Sequence, residues 1–327
     1  MSILVTGSAG HLGEAVMRTL RAEGRPARGL DILASEFTDH VGSLVDADFV
    51  AEAVAGADAI IHTATLHKPH VETHTRQDFV DTNITGTLNL LEVARETGIT
   101  RFVMTSTTST FGDALSPAEG EPAAWITEDM APIPKNIYGA TKTAAEGLCE
   151  LFARRFGVPV IVLRTSRFFP EMDDSPATRD LYPDENAKAN EFLFRRVDIA
   201  DAVSAHLLAL DRVEELGFER LIVSATTPFA PADVAALRRD APSVVARVCP
   251  DYEAVYAARG WRMFPSLDRV YDNARARRLI GWRPEYDFRR IVAQAAAGEV
   301  IGSELARTVG IKGYHKGHEQ AGIYPFV

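Results

Sequence analysis

The chain has 327 residues, of which 46% are apolar and 24% are charged, and its formal net charge is −10. This length suggests roughly two domains with a substantial core, and the acidic balance argues against nucleic acid or an anionic membrane as partners, since both need basic patches. Two cysteines give neither a disulfide framework nor zinc-ligand spacing, and no leader or membrane-length apolar run is seen, so we expect a cytoplasmic protein.

The first 31 residues have the order of a dinucleotide-binding unit. An apolar strand at 3–5 is followed by a glycine turn, a helical pattern and a second strand that ends at Asp31. The turn contains three glycines, which are Gly7, Gly10 and Gly13. Glycines let the backbone approach a pyrophosphate, and the following helix amino terminus offers unpaired N–H groups.

The acid after the second strand predicts which dinucleotide binds. Asp31 would accept hydrogen bonds from the adenosine ribose and repel a 2′-phosphate, which favours NAD over NADP. Arg28 is a nearby cation that weakens this preference. A glycine-rich turn in another kind of α/β protein is the alternative interpretation.

The remainder of the first half alternates predicted helices and short apolar strands. In chain order they are a helix at 47–54, a strand at 59–62, a helix at 81–97, a strand at 101–104, a helix at 137–156 and a strand at 160–163. A long loop with prolines and acids is predicted at 112–134. This alternation predicts a parallel sheet that is covered on both faces.

The second half is less regular. We predict a loop with one short helix at 169–190, a helix at 198–211 and a strand at 221–223 that extends the sheet. The predicted fold is therefore α/β, a Rossmann-type doubly wound parallel sheet with a smaller, interleaved carboxy-terminal region. Residues 1–165 would bind NAD, and residues 166–327 would mainly bind substrate.

Tyr138 and Lys142 are four residues apart, which places both side chains on one face of the predicted helix. An ammonium beside a phenol favours the phenolate, so Tyr138 could exchange a proton with a substrate hydroxyl or carbonyl oxygen. Lys142 could also bind the nicotinamide ribose. The alternative is a surface helix with a solvated lysine.

Several motifs together resemble the extended short-chain dehydrogenases/reductases of the NAD-dependent epimerase/dehydratase family. They are found at 6–13, 31, 61–64, 83, 86–87, 105–112, 138–142, 164 and 281–284. The resemblance implies Thr107, Tyr138 and Lys142 as catalytic residues, and an adenine contact near Ser43 and Leu44. Ser43 stands where the family more often has aspartate, and Phe111 replaces the usual tyrosine.

The same resemblance implies a set of cofactor contacts and a homodimer. The implied cofactor residues are Gly7, Gly10, His11, Leu12, Gly13, Asp31, Ser43, Leu44, Thr63, Ala64, Thr65, Asn83, Thr105, Ser106, Tyr138, Lys142 and Thr165. Many members of the family dimerise through the helix after Asn83 and the Tyr138 helix.

Arg167 is the most informative departure from the family pattern. It replaces an asparagine that binds substrate in many sugar-nucleotide members, and its guanidinium suits a carboxylate or phosphate. The alternative is that Arg167 only pairs with Asp173 or Asp174. The Phe-Pro-Glu stretch at 169–171 is similar to that of uronate dehydrogenases.

His67, His70 and His74 lie on a polar loop, but no nearby acid completes a metal site, so no metal is predicted. We expect His67 to contact a small-molecule substrate, which Arg167 suggests is anionic. The favoured function is an epimerase or dehydratase of a sugar or sugar-nucleotide. The alternatives are a net dehydrogenase or reductase of a sugar acid or small carbonyl compound, and a non-catalytic NAD-sensing protein.

Overall fold

A computed structural model describes residues 1–173 and 175–312. The strands in these ranges are β1 Ile3–Thr6, β2 Ala27–Asp31, β3 His40–Val41, β4 Ala59–His62, β5 Phe102–Thr107, β6 Ala124–Ile126, β7 Val160–Thr165, β8 Phe218–Val223 and β9 Arg269–Tyr271. Seven of these strands form the main parallel sheet in the order β3-β2-β1-β4-β5-β7-β8, and β6 and β9 form a small parallel sheet. The predicted α/β fold is confirmed.

Helices cover both faces of the main sheet. The helices are α1 His11–Ala22, α2 Ala47–Val54, α3 Arg76–Val80, α4 Gly86–Thr97, α5 Ile137–Phe156, α6 Pro176–Leu181, α7 Asp184–Glu191, α8 Ile199–Leu216, α9 Val234–Arg239, α10 Ala241–Val248, α11 Tyr252–Arg259, α12 Ala274–Leu279, α13 Phe288–Ala296 and α14 Glu304–Val309. Alternate strand residues point to opposite faces, so Ile3 and Val5 pack with α1 and α8, whereas Leu4 packs with α2, α4 and α5.

The second half contributes both to the main sheet and to a core of its own. As expected, a late strand extends the sheet: β8 pairs with β7 in parallel. A separate apolar cluster joins α7, α10, α11 and α13 to the small sheet. Trp282 is fully buried against α8, and its indole N–H donates to the Asp201 carbonyl oxygen. The assignment of substrate binding to residues 166–327 stays a prediction.

Two predictions of irregular structure were wrong. The predicted loop at 112–134 contains β6, a three-residue strand whose partner β9 is far away in the sequence. The segment at 169–190 contains two helices, α6 and α7, instead of one. The Ser175 side chain caps α6 and Pro176 occupies its first turn, while α7 has acids at its amino terminus. These local signals do not produce an apolar period, which is why the helices were missed.

No helix within the described ranges is long and apolar enough to cross a membrane. Helices α4 and α5 contact each other, and α5 leaves Leu151 and Phe156 exposed. The homodimer implied by the resemblance stays a prediction.

Candidate active site

A cavity of about 550 Å³ opens at the carboxyl ends of the central strands, where strand order reverses between β1 and β4. All of the predicted site residues line it except Asn83 and Lys142. The lining residues among them are Gly7, Gly10, His11, Leu12, Gly13, Asp31, Ser43, Leu44, Thr63, Ala64, Thr65, His67, Thr105, Ser106, Thr107, Tyr138, Thr165 and Arg167. The fold therefore brings together residues from both halves of the sequence.

The glycine turn is packed so closely that side chains are excluded at two positions. Gly7 has a φ of +73°, and a Cβ atom there would lie 2.7 Å from the Ala64 nitrogen. A Cβ atom on Gly13 would lie 1.9 Å from the Gly7 carbonyl oxygen. The amino terminus of α1, which begins after Gly10, can thus approach the strand ends and face the cavity. This cradle fits the pyrophosphate of a dinucleotide.

Asp31 joins the end of β2 to the glycine turn. Its Oδ2 accepts a hydrogen bond from the Ala9 N–H at 3.0 Å, and its Oδ1 accepts one from the Leu33 N–H at 2.9 Å. Arg28, the cation considered above, lies elsewhere: its Nη2 donates to the Ala55 carbonyl oxygen and it does not line the cavity. The acid at this end of the cavity therefore fits a ribose with free hydroxyls.

Tyr138 reaches the cavity because α5 begins unusually close to the end of β5. The Asn136 side chain caps the helix by accepting the Gly139 N–H. A Cβ atom on Gly139 would lie 2.7 Å from the Ser109 carbonyl oxygen, so only glycine permits this approach. The Tyr138 hydroxyl thereby lies near the Thr107 side chain, which acts to lower its pKa. Two of the three predicted catalytic residues are thus neighbours at the cavity.

Burial has the largest effect on the electrostatics of Tyr138. It raises the pKa of Tyr138 to about 12, and the Thr107 side chain only partly opposes this. Burial also lowers the pKa of Lys142 to about 8, with Cys149 and Glu146 acting in the opposite direction. Burial is thus the larger of the two effects on the Tyr138 pKa in the ligand-free protein, and stabilisation of the phenolate by Lys142 stays a prediction.

A buried ion pair lies beneath the cavity floor. Glu146, one turn after Lys142 on α5, accepts a hydrogen bond from Ser106 Oγ at 2.6 Å and one from Arg164 Nη2 at 2.7 Å. The Arg164 guanidinium also lies over the Phe111 ring, 4.9 Å from its centroid. Glu146 was not predicted, although its spacing of four residues from Lys142 places it on the same helix face.

Asn83 supports the cavity from behind and is not among its lining residues, so its contact with the cofactor stays a prediction. It lies in a wide helical turn at 81–85 that joins α3 to α4. Its Oδ1 accepts hydrogen bonds from Thr65 Oγ1 and the Leu66 N–H, and its Nδ2 donates to Thr141 Oγ1. Asn83 thereby fixes the loop after β4 to the helix that carries Tyr138.

Comparison with known proteins decides the family. The model of the NAD-dependent epimerase/dehydratase family matches residues 3–223. The chain belongs to this family. NAD is accordingly its cofactor, and the closely packed glycine turn with Asp31 at its edge fits that molecule.

Two curated relatives and one solved structure are similar to this chain. Sterol demethylase protein B of Methylococcus capsulatus is 29% identical over 65% of this chain and 66% of its own length. Uronate dehydrogenase of Pseudomonas syringae is 29% identical over 52% of this chain and 60% of its own length. The chain thus spans less than two thirds of either relative.

The structure of an Agrobacterium tumefaciens short-chain dehydrogenase/reductase superfamily protein with bound NAD has a TM-score of 0.65 at 24% identity. It covers 94% of this chain and 97% of that one. This likeness confirms the predicted Rossmann-type fold of the chain.

Arg167 lines the cavity and is also held by its own surroundings. Its Nη2 donates to the carbonyl oxygens of Glu171 and Met172 at 3.1 and 2.6 Å. Its Nη1 lies 3.8 Å from Asp173 Oδ2, which supports the alternative of internal pairing. Asp174, the other suggested partner, lies outside the described residues.

The Arg167 side chain belongs to a larger charged cluster. Arg195 Nη2 lies 2.7 Å from Glu191 Oε1, and Arg196 Nε lies 2.8 Å from Glu191 Oε2. Burial acts to raise the pKa of Glu191, but the guanidinium groups of Arg195, Arg196 and Arg167 hold it well below its usual range. Arg167 and Arg195 line the cavity wall, where nearby carboxylates hold their side chains.

Several lining residues were not predicted. Arg195, Arg269 and Tyr271 come from the irregular second half, where no sequence period indicates which side chains meet the cavity. Ile32 and Leu33 directly follow Asp31 and are about half exposed. Two apolar residues directly after the acid that ends a strand are the sequence signal that could have identified them.

Proposed function

We propose that this protein catalyses reversible hydride transfer between NAD and a hydroxyl-bearing carbon of a sugar-type substrate, with Tyr138 as the acid/base. The place of Tyr138 and Thr107 beside each other, in the cavity that the glycine turn also lines, is the observation that carries this proposal. Bound NAD would supply the hydride acceptor. The residues of this chain would bind and orient the substrate oxygen and move its proton.

Each of the three residues has a distinct role in this proposal. Thr107, which lies beside Tyr138, would donate its hydroxyl proton to the substrate oxygen. Tyr138, whose pKa is raised by burial, is protonated at neutral pH in the ligand-free protein and suits proton donation to a carbonyl oxygen. Lys142, buried one turn behind Tyr138, stabilises the phenolate that forms in that direction and binds the ribose.

The family supports an epimerase or dehydratase of a sugar or sugar-nucleotide as the overall reaction. In this version the hydride is taken up and later returned, so that no net NADH accumulates. The names of the two curated relatives refer to a sterol and a uronate, so similarity alone selects no substrate for this chain.

A second candidate is a net dehydrogenase of a sugar acid. Three arginines, Arg167, Arg195 and Arg269, line the cavity and suit a carboxylate.

One experiment separates these candidates. The NAD-loaded protein is incubated with a panel of nucleotide sugars, and products are identified by NMR. A parallel panel of uronates is followed by NADH absorbance. Nucleotide-sugar conversion without NADH release supports the epimerase or dehydratase, and stoichiometric NADH release with a uronate supports the dehydrogenase. NAD binding with no turnover in either panel would contradict the proposal and favour the binding-only alternative.

A further inference from the structure

The last helix of the described chain, α14, docks beside α1. It packs Val309 into the apolar cluster that α1 and α8 share, and Leu305 and Ala306 pack against the same cluster. Its start is fixed by Ser303, whose Oγ accepts the Ala306 N–H at 3.0 Å and whose N–H donates to Asp198 Oδ2 at 2.8 Å. The residues that directly follow α14 therefore start from a helix whose place against α1 is set by its core.

Lys312, three residues after α14, contacts the first turn of α1 through both its backbone and its side chain. Its backbone nitrogen lies 3.3 Å from His11 Nε2, and its Nζ pairs with the Glu14 carboxylate. Lys312 also lines the cavity, together with Gly10 and His11 of the glycine turn. A cation that comes 301 positions after His11 in the sequence thus lies at the amino terminus of α1.

The glycine turn itself offers backbone N–H groups but no strongly basic side chain. Residues 6–13 include neither lysine nor arginine. Two carboxylates lie beside the turn: Asp31 accepts the Ala9 N–H, and Glu14 is in the first turn of α1. The pyrophosphate of NAD carries two negative charges, so a carboxylate without a counter-charge at this place would weaken its binding.

Within the described ranges, Glu14 pairs with two cations, of which one faces the cavity. Arg18 Nε lies 2.7 Å from Glu14 Oε1, and the Arg18 guanidinium lies 4.7 Å from the centroid of the Phe37 ring. Arg18 is not among the described residues that line the cavity, whereas Lys312 is. An ammonium has three N–H donors, so Lys312 can pair with Glu14 and still donate to a second anion.

We propose that Lys312 is a cofactor-binding residue that neutralises Glu14 and donates to the pyrophosphate of NAD at the amino terminus of α1. The Lys312 ammonium and the N–H groups of the glycine turn would then bind the same doubly charged group. Glu14 is a positioning residue in this arrangement, because its carboxylate holds the Lys312 side chain against α1. The proposal concerns the cofactor alone and goes beyond the proposed function, since it holds whichever substrate reacts.

Binding of NAD and of ADP-ribose to the full chain tests this role without any turnover. ADP-ribose keeps the adenosine and the pyrophosphate of NAD but lacks the nicotinamide. Affinities are measured by calorimetry for the wild type and for Lys312→Met, which keeps a long side chain and removes the ammonium. We expect Lys312→Met to bind both ligands about tenfold more weakly, because one charge-assisted hydrogen bond is lost. Lys312→Arg keeps the charge and should retain most of the wild-type affinity.

Arg18→Met is the matched control, since it removes the other cation that pairs with Glu14. Its affinity for both ligands should stay within about twofold of the wild type, because an exposed ion pair away from the cavity contributes little. Salt gives an independent readout. The Lys312 side chain is 23% exposed, so added salt should narrow the difference in affinity between the wild type and Lys312→Met. A loss caused by altered packing would not respond to salt in this way.

Each outcome supports or overturns the role of Lys312. Thermal unfolding checks that each variant is folded. Equal affinities of the wild type and Lys312→Met for NAD, a loss that salt leaves unchanged, or a loss that ADP-ribose does not share would overturn it. An equal loss in Arg18→Met would assign the effect to the charge of Glu14 and would overturn it as well. Absence of NAD binding by the wild type would instead overturn the cofactor site, and the proposed function with it.

Discussion

Arg164, near the end of β7, pairs with Glu146 on α5 at 2.7 Å, and both side chains are almost completely buried. The pair ties the sheet to the helix that carries Tyr138 and Lys142. Ser106 on β5 donates to the same carboxylate, so three elements meet at one buried charge. The cost of removing either partner is therefore the cost of leaving the other charge buried without compensation.

Arg164→Ala should lower the free energy of unfolding by about 3 kcal/mol, measured by urea denaturation. Arg220 Nε lies 3.3 Å from the Glu146 carboxylate and limits the loss. The control is Arg101→Ala, which removes an exposed pair with Glu214 and should change stability by less than about 1 kcal/mol. Similar losses in the two variants would show that burial of the first pair has no energetic consequence.

Of two glycine-to-alanine changes, one should weaken NAD binding and the other should stabilise the fold. In Gly13→Ala the new Cβ would lie 1.9 Å from the Gly7 carbonyl oxygen, so the turn must shift and NAD affinity should fall at least tenfold, by about the 1.4 kcal/mol that a tenfold change represents. Gly147→Ala adds a Cβ to an exposed position on α5, and no heavy atom of the described part of the chain lies within 4 Å of it. Because alanine has a higher helix propensity than glycine, this change should raise the free energy of unfolding by up to about 1 kcal/mol. Calorimetric NAD titration and urea denaturation provide the measurements.

Tyr138→Phe should lower turnover by about 10²- to 10⁴-fold, the usual share of an acid/base group, while NAD affinity changes little. The hydroxyl near Thr107 is lost, but the ring remains in its buried position. Tyr252→Phe is a matched control in the second core, where the hydroxyl donates to the Pro242 carbonyl oxygen at 3.3 Å. Steady-state rates on the substrate found in the panels give the readout, and unchanged turnover in Tyr138→Phe would exclude it as the acid/base.

The sequence predicted those parts of the fold and site that depend on local signals. Helix α5 has the predicted bounds because Asn136 caps its start and Gly157 adopts a left-handed conformation at its end. The glycine turn and Asp31 were recognised because tight backbone packing permits few residue types there. A place at the cavity could thus be predicted for residues that neighbouring residues in the sequence identify.

What could not be predicted depends on contacts between distant segments. Strand β6 exists through its pairing with β9, about 145 positions later in the chain, and three residues carry no period. Arg195 and Arg269 reach the cavity through the packing of the second half. The raised pKa of Tyr138 could not be predicted because residue spacing does not reveal the burial that causes it.

Two buried histidines should make the protein less stable in mild acid. Burial, with the Lys142 charge as a second cause, lowers the pKa of His62 to about 3, and burial lowers that of His206 to about 4. The unfolded chain, with histidine pKa values near 6.5, then binds more protons than the folded one between pH 6.5 and 4. The contribution of the two neutral histidines to the free energy of unfolding is complete above pH 6.5 and is lost as the pH falls from 6.5 to 4.

His206→Gln isolates one of these contributions. Each histidine that the fold holds neutral makes the free energy of unfolding rise with pH by up to about 1.4 kcal/mol per pH unit. Burial raises the pKa of Asp201 to about 7, so this residue makes the free energy of unfolding fall with rising pH, and it does so in both the wild type and the variant. The stability advantage of the wild type over His206→Gln should therefore narrow as pH falls from 6.5 to 4, as measured by urea denaturation. His40→Gln, at the half-exposed β3 edge, is the control and should follow the wild type. A constant difference between wild type and His206→Gln would mean that this ring is not held neutral by the fold.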